Sequence, residues 1–274
     1  MIKFEHTVFA LPFALIGALL ASEGVPTRWQ LGWIVAAMVG ARSAAMTFNR
    51  LADLHYDRLN PRTRERALAK GTLTVQFAVV FTITTAALFV WSAWKLNPLC
   101  FYFSVPTLGV LFFYSYTKRF TALSHLVLGF AIGSAPLAAW LAIRGAFAWP
   151  PIMLSGAVMF WIAGFDIIYA LQDTEFDRKA KLFSIPASFG AERALFLSAL
   201  FHVLAVLLLT ATVVLSGLGF VAWAGIVIVA GILVWEHQIV KANDLSRVNV
   251  AFFNLNGYVS ILLLLTFATD ILIR

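Results

Sequence analysis

The sequence is poor in charged residues and almost free of cysteine. Charged residues make up 12% of its 274 residues, about half the share found in soluble domains. Hydrophobic residues make up 61%, and the mean hydropathy is +0.88. A single cysteine, Cys100, excludes an internal disulfide and a metal site built from several cysteines. Any metal must therefore be held by oxygen or imidazole ligands.

Long apolar runs recur along the whole chain, so a single signal peptide does not explain them. A spanning helix needs about 20 apolar residues. The runs predict nine transmembrane helices, at residues 7–22, 29–50, 73–94, 98–116, 121–143, 150–172, 190–214, 218–240 and 250–272. We therefore predict an all-α, polytopic membrane protein in which residues 1–274 form one transmembrane domain.

The basic residues give the orientation of these helices. With nine helices, the N-terminus shares one side with the gaps after helices two, four, six and eight. That side carries fifteen basic residues: Lys3, Arg50, Arg58, Arg62, Arg64, Arg66, Lys70, Lys118, Arg119, Arg178, Lys179, Lys181, Arg193, Lys241 and Arg247. The other side carries four: Arg28, Lys95, Arg144 and Arg274. The positive-inside rule predicts that the richer side is cytoplasmic.

The acidic residues include two similar hexamers, DLHYDR at residues 53–58 and DTEFDR at residues 173–178. Both lie at the same end of a helix, helix two and helix six, which are separated by four helical passages. Orientation does not require acids there. A duplicated four-helix unit would produce this spacing. We predict two four-helix pseudo-repeats plus one helix, with the hexamers facing each other.

Spacing places polar side chains on one face of each helix, because residues four or seven apart share a face. The first stripe holds Arg42, Asn49, Asp53 and Asp57, and the second holds Asp166, Tyr169, Asp173 and Asp177. Two facing stripes of carboxylates repel unless a cation lies between them. Oxygen ligands suit Mg²⁺, which takes one or two protein carboxylates and completes its shell with water and phosphate. The basic residues placed to meet phosphate oxygens are Arg62, Arg66, Lys118, Arg119 and Lys179.

Two alternatives to a Mg²⁺–diphosphate site stay open on these residues alone. The acids could pair only with neighbouring arginines at the membrane surface. A secondary transporter with an acidic ion path could also carry such residues, although it predicts acids near the midplane and only Asp166 and Arg42 lie deep. His6, His125, His202 and His237 are scattered and share no ligand spacing.

Several segments together resemble the UbiA superfamily of membrane prenyltransferases, of the 4-hydroxybenzoate polyprenyltransferase-like kind. NRLADLHYDRLNPRT (49–63) is similar to the first motif, NxxxDxxxD, and DIIYALQDTEFDRK (166–179) to the second, DxxYAxxDxxxD. The resemblance continues through RSAAMTFN (42–49), YSYTKR (114–119), SIPASFG (184–190) and AFFNLNGYV (251–259). It covers nearly the whole chain.

The resemblance implies nine helices around a central cavity, capped on the cytoplasmic side and open sideways to lipid. It implies an enzyme of the bacterial cytoplasmic membrane whose partners are a polyprenyl diphosphate, an aromatic acid acceptor and the lipid bilayer. We expect no nucleic acid and no obligate protein partner. The predicted Mg²⁺ ligands are Asn49, Asp53, Asp57, Asp173 and Asp177. The predicted substrate-binding residues are Arg42, Asn49, Arg62, Arg66, Lys118, Arg119, Tyr169, Arg178 and Lys179.

The predicted catalytic residues are Asp166, Tyr114 and Lys118. Diphosphate departure leaves an allylic cation that Tyr114 or Tyr169 could shield, and Asp166 could orient the phenol or accept its proton. Arg42 is the candidate partner of an acceptor carboxylate, with a permanent pair to Asp53 or Asp166 as the alternative.

The acceptor we expect is 4-hydroxybenzoate, on the ubiquinone route, with a dihydroxynaphthoate of the menaquinone route as the alternative. The alternative rests on Lys3 and His6, which stand where the resemblance to relatives that prenylate 4-hydroxybenzoate leads us to expect an arginine-containing pattern.

Overall fold

The computed structural model describes residues 10–273, so Lys3, His6 and the predicted helical residues 7–9 lie outside the described part. Within that range the secondary structure is helical, without a β-strand. The α-helices are α1 Leu11–Ser22, α2 Arg28–Ala52, α3 Leu54–Leu59, α4 Val75–Leu96, α5 Pro98–Thr117, α6 Ser124–Gly133, α7 Ala135–Arg144, α8 Trp149–Ala170, α9 Thr174–Lys179, α10 Ile185–Phe189, α11 Ala191–Leu215, α12 Phe220–Ile239 and α13 Asn256–Leu272. The predicted all-α class is confirmed.

Eight helical segments in residues 10–273 are long and apolar enough to cross a membrane: Arg28–Ala52, Val75–Leu96, Pro98–Thr117, Ser124–Arg144, Trp149–Lys179, Ala191–Leu215, Phe220–Ile239 and Val250–Leu272. They match eight of the nine predicted helices and make the chain an integral, multi-pass membrane protein. The first predicted helix is represented by α1, with twelve residues. The count of nine stays a prediction.

Two of the predicted spans are less regular than expected. The helix predicted at 121–143 is divided at Ser134 into α6 and α7, and Pro136 lies in the first turn of α7. Proline is tolerated there because the first amides of a helix have no intrahelical partner. The last span starts with a π-helical segment, Val250–Leu255, before α13.

The two acidic hexamers have the same backbone conformation. α2 stops before Asp53 (φ −95°, ψ 9°), and the helical segment of the second copy breaks in the same way at Asp173 (φ −100°, ψ 2°). Six-residue helices, α3 and α9, follow directly. The apolar runs predicted helices that end at residues 50 and 172, and the polar stripes extended helical spacing through both hexamers, whereas the structure breaks each helix at its first aspartate. Such backbone angles are sparsely populated and are frequent at active sites.

Helix packing follows the predicted duplication. In the first half α2 packs along α4, and in the second half α8 packs along α11. A small residue permits each close crossing. A Cβ on Gly40 of α2 would lie 2.8 Å from the backbone nitrogen of Phe89, and one on Gly164 of α8 would lie 2.4 Å from the His202 ring. α1 contacts both α7 and α13, so it joins the two halves.

Two regions of the bundle differ in how their interior is filled. Buried apolar side chains of α1, α8, α11, α12 and α13 form a solid core that includes Phe13, Ile16, Leu154, Leu209 and Phe267. A cavity lies instead among α2, α4, α5, α6, α7 and α8. No described residue of α11 or α12 lines this cavity, so α2 and α4 to α8 position the site.

The N-terminus of α12 is capped by a side chain of α13. Asp270 is 2% exposed. Its Oδ1 accepts a hydrogen bond from the Gly219 N–H (2.7 Å), and its Oδ2 accepts one from the Ala222 N–H (2.9 Å). A carboxylate at this position satisfies amides that have no partner within the helix and interacts favourably with the helix dipole.

We predict that Asp270→Ala destabilises the protein by about 2 kcal/mol, because it leaves two buried amides without an acceptor. The measurement is the Tm of the purified protein in detergent. The matched control is Glu23→Ala, which removes a 2.5 Å ion pair to Arg144 whose Glu23 side chain is 81% exposed and which should change the Tm little. Equal Tm values for the two variants would contradict the assignment.

Candidate functional site

The cavity has a volume of about 450 Å³ and is charged at one end. One face of α5 follows it from Cys100 through Ser104, Thr107 and Leu111 to Lys118. At 1.5 Å rise per residue, this face is about 27 Å long. The charged end lies at the two hexamers, and the remainder is lined mainly by alanine, leucine, isoleucine and phenylalanine side chains. The cavity thus joins an ionic compartment to a long apolar one.

Most of the predicted site residues line this cavity: Arg42, Asn49, Asp53, Asp57, Arg62, Arg66, Tyr114, Lys118, Arg119, Asp166, Tyr169, Asp173 and Asp177. Two do not. Arg178 donates from Nε to the carbonyl oxygen of Ala187 at 2.9 Å, and Lys179 is exposed on α9 outside the lining.

The first hexamer is held by neighbours on α2, just after α5 and in the loop after α3. Asn49 Nδ2 donates to Asp53 Oδ2 at 3.0 Å. Arg66 Nη1 donates to Asp57 Oδ1 at 2.7 Å, and Arg119 Nη2 lies 3.7 Å from Asp53 Oδ1. Burial, together with the nearby Asp57 carboxylate, raises the pKa of Asp53 above its ordinary value despite the cations around it.

The second hexamer is held by residues of the loop after α3. The Arg62 guanidinium binds the Asp173 carboxylate in a fork, with Nε 2.9 Å from Oδ1 and Nη2 against Oδ2. Asn60 Nδ2 also donates to Oδ1, at 3.1 Å. Burial lowers the pKa of Arg62, but the bond to Asp173 outweighs it and keeps that pKa above its ordinary value. Bidentate arginine–carboxylate contacts are among the strong ones.

This fork joins the two halves of the bundle directly, because its partners are 111 positions apart in the chain. Tyr169 supports it. The tyrosine hydroxyl accepts from Arg62 Nη1 at 3.0 Å, and the Arg62 guanidinium lies 5.0 Å from the centre of the Tyr169 ring. Phe252 stacks on that ring with a centroid distance of 4.0 Å. Tyr169 therefore orients Arg62.

Asp177 has the weakest polar contacts of the four aspartates. It is 2% exposed, and its Oδ2 has no hydrogen-bond partner among the described residues. The nearest cation is Lys118 Nζ, 3.9 Å away. Lys118 is held at the end of α5, where its carbonyl oxygen accepts from the Phe183 N–H at 2.6 Å. A buried carboxylate oxygen with so distant a partner is one that a cation could coordinate.

The donor set of the cavity fits Mg²⁺. Between residues 10 and 273, no three Asp, Glu, His or Cys side chains converge into a closed metal cage. The donors are instead separate pairs of aspartates with Asn49, all of them oxygen ligands. Mg²⁺ prefers one or two carboxylates and shares the rest of its shell with water and phosphate. Asn49, Asp53, Asp57, Asp173 and Asp177 could therefore hold it together with a phosphorylated ligand.

Comparison with known proteins identifies the family. Residues 10–258 match the UbiA prenyltransferase family. The chain belongs to this family. A 4-hydroxybenzoate octaprenyltransferase of Klebsiella pneumoniae is 30% identical over 253 residues, which cover 92% of this chain and 87% of that protein. The UbiA prenyltransferase described here is thus an enzyme that transfers prenyl groups, and the predicted family is confirmed.

Solved structures of UbiA homologues have the same fold. The apo structure of a homologue from Aeropyrum pernix K1 has a TM-score of 0.90 at 35% identity and covers 99% of this chain and 100% of that one. A homologue from Archaeoglobus fulgidus bound to DMAPP and Mg²⁺ has a TM-score of 0.66 at 22% identity, covering 94% and 97%. Because the Archaeoglobus homologue is only 22% identical, its similarity shows a shared fold and nothing more.

Three residues of this UbiA prenyltransferase site were missed by sequence reasoning. Asn60 follows Asp57 by three positions and Asp53 by seven, so the spacing used for the acids could have found it. Arg50 lines the cavity, and its Nη1 lies 3.4 Å from Asn49 Oδ1. His125 Nδ1 lies 2.7 Å from Asp166 Oδ2. No local spacing indicates this last pair.

Arg42 lies deepest of the predicted basic residues. It precedes Asp53 by eleven positions on α2, which places it about 16 Å further along the helix axis. Of the two acids considered as its permanent partners, Asp53 meets Asn49 and Arg119, and Asp166 meets His125. Arg42 lines the same cavity as both.

We predict that Arg62→Gln changes the binding of two ligands in opposite directions. Mg²⁺ alone should bind more tightly, since Asp173 loses its competing guanidinium, while a prenyl diphosphate should bind at least tenfold more weakly, since a phosphate partner is lost. Isothermal titration of the purified protein measures both. Arg64→Gln, which alters a side chain that is 63% exposed, should change neither. Weaker Mg²⁺ binding in Arg62→Gln would contradict the prediction.

Proposed function

We propose that this chain transfers an isoprenyl group from a polyprenyl diphosphate to 4-hydroxybenzoate in a Mg²⁺-dependent reaction, as a single transmembrane domain over residues 1–274. The observation that carries the proposal is the contact of Arg62 and Asn60 with Asp173, which joins the two acidic hexamers at the charged end of a long apolar cavity. Such a cavity suits a ligand with a diphosphate head and a hydrocarbon tail. The Klebsiella relative's name supports the acceptor, and the Archaeoglobus homologue's bound DMAPP and Mg²⁺ support the donor and the metal.

In the proposed reaction the four aspartates and Asn49 would hold the metal. A bound Mg²⁺ would supply Lewis-acid stabilisation for the negative charge of the leaving diphosphate. Arg62, Arg66, Arg119 and Lys118, which meet the aspartates in the structure, turn toward the phosphate oxygens. They stabilise the charge that develops as the bond between the prenyl carbon and the diphosphate oxygen breaks.

The acceptor lies deeper, below the hexamers. Asp166 precedes Asp173 by seven residues, about 10 Å along the helix, whereas Arg42 is about 16 Å below Asp53. A small aromatic acid between them can place its hydroxyl at Asp166 and its carboxylate at Arg42. Asp166 holds the phenol and accepts its proton, Tyr114 shields the allylic cation, and a ring carbon attacks the prenyl carbon. The alkylated ring carbon then loses its proton to the departed diphosphate, which restores the aromatic ring, and Asp166 returns the phenol proton to the oxygen.

The charged end of the cavity is proposed to face the cytoplasm. Arg62, Arg66, Lys118 and Arg119 all belong to the side that holds fifteen of the twenty basic residues, and that side is cytoplasmic by the positive-inside rule. A diphosphate donor made in the cytoplasm would then reach the aspartates from the membrane surface. The membrane in question is proposed to be the bacterial cytoplasmic membrane.

We predict that Asp53→Asn combined with Asp173→Asn lowers the transfer rate at least a hundredfold, because each amide loses the negative charge that holds Mg²⁺. The assay follows a radiolabelled donor in purified protein over a range of Mg²⁺ concentrations. Asp244→Asn, which alters an exposed acid on the same side, is the control that keeps the wild-type rate. An unchanged Mg²⁺-dependent rate in the double variant would show that the site lies elsewhere.

The same assay decides the acceptor. Membranes containing the wild-type protein should convert 4-hydroxybenzoate, and Arg42→Met should raise the KM for this acid at least tenfold because its carboxylate loses a guanidinium. Conversion of dihydroxynaphthoate with no conversion of 4-hydroxybenzoate would overturn the proposed acceptor while leaving prenyl transfer in place.

The single cysteine reports where the prenyl tail lies. Cys100 lines the apolar end of the cavity, about 27 Å from Lys118 along α5. We predict that a long-chain prenyl diphosphate slows labelling of Cys100 by a thiol reagent at least fivefold, whereas inorganic diphosphate does not. Mass spectrometry of the intact protein measures labelling, with Cys100→Ser as the unlabelled control. Equal labelling with and without the long donor would show that the tail leaves the cavity toward lipid.

A further inference from the structure

His125 of α6 is fully buried and makes two polar contacts. Its Nε2 lies 3.3 Å from the backbone nitrogen of Ile185, which can only donate, so Nε2 is the acceptor in that bond. The ring proton of the neutral imidazole is therefore on Nδ1. Nδ1 lies 2.7 Å from Asp166 Oδ2 and donates to it. One backbone amide thus determines the tautomer that the aspartate receives.

The amide that selects this tautomer belongs to the segment after the second hexamer. Ile185 is the first residue of α10, and the first amides of a helix have no acceptor within it. Ser184 caps the same helix by accepting the Ala187 N–H at 3.3 Å. His125 therefore links this segment, at the charged end of the cavity, to Asp166 deeper in the wall.

We propose that His125 is a positioning residue for the transfer reaction, which holds the Asp166 carboxylate in the orientation that receives the acceptor phenol. This inference rests on the role proposed above for Asp166. The imidazole occupies Oδ2, and the carboxylate keeps acceptor capacity for a ligand, since it offers about four lone-pair sites. Asp166 lines the cavity while His125 is 0% exposed. His125 thus acts on the substrate only through the aspartate.

Hydrogen bonding explains why the orientation needs this support. The last torsion of an aspartate side chain is soft and has broad preferences. A charge-assisted bond from a buried, fully packed imidazole restricts that rotation. If the Asp166 carboxylate is displaced by a fraction of a bond length, the rate of transfer falls. Donor binding is not weakened, because the donor is held by other residues. A purely structural role, securing α10 alone, would not depend on Asp166.

The test uses three substitutions of His125 in the full-length protein. His125→Met has no donor and should lower kcat at least tenfold, with the KM for the donor within about twofold of wild type. His125→Gln carries both a donor and an acceptor, so its kcat should lie within about threefold of the wild-type value. His125→Asn retains a donor close to the place of Nδ1 but does not reach Ile185, so it should lower the Tm more than it lowers kcat.

A double-mutant cycle with Asp166→Asn separates positioning from structure. If His125 acts through Asp166, adding His125→Met to Asp166→Asn changes kcat less than twofold. An equal loss in both backgrounds, or wild-type kcat in His125→Met alone, would overturn the proposal. So would an Asn variant as slow as the Met variant. A wild-type kcat in Asp166→Asn would remove the proposed role of Asp166 and that of His125 together, whereas a slow Asp166→Asn with a fast His125→Met removes only the latter.

Discussion

Four carboxylates at one end of an apolar bundle repel one another, and the arrangement of the site follows from this constraint. Each meets a basic side chain from another element: Asp53 with Arg119, Asp57 with Arg66, Asp173 with Arg62 and Asp177 with Lys118. Buried charges persist only when they are paired in this way. The basic residues that balance the acids are also able to balance a diphosphate. Cations and acids can therefore exchange partners when a Mg²⁺–diphosphate group enters, without a large change in net charge.

The solid core and the cavity contribute differently to the site. The core around α11, α12 and α13 contains a buried polar chain in which Trp161 Nε1 donates to Asn256 Oδ1 (2.7 Å) and Asn256 Nδ2 donates to Glu236 Oε1 (2.8 Å). Each of these bonds joins two different helices. Such bonds restrict how helices can shift against one another. α8 carries Asp166 and Tyr169 and leads directly to Asp173. These bonds hold α8 in a fixed position, as a precise site requires.

Much of this site follows from local patterns in the sequence. Spacings of four and seven residues placed Asn49, Asp53 and Asp57 on one face, and the repetition of the hexamer predicted that both copies meet. Local sequence patterns do not show which side chains pair across the fold. The fork from Arg62 to Asp173 and the bond from His125 to Asp166 were therefore not predicted. The predicted helices end at residues 50 and 172, close to the breaks at Asp53 and Asp173, but the six-residue helices that follow were not predicted. Polar residues at helical spacing continue through both hexamers, so the sequence alone does not show where the backbone changes direction.

Both hexamers are proposed to bind one Mg²⁺–diphosphate group. A structure with Mn²⁺ and a non-hydrolysable prenyl diphosphate tests this, because anomalous scattering locates the metal. We expect Mn²⁺ signal beside Asp53 or Asp57 and beside Asp173 or Asp177, one diphosphate between them, and Arg62 moved from Asp173 to a phosphate oxygen. Metal and diphosphate confined to one hexamer, with Arg62 still on Asp173, would contradict it.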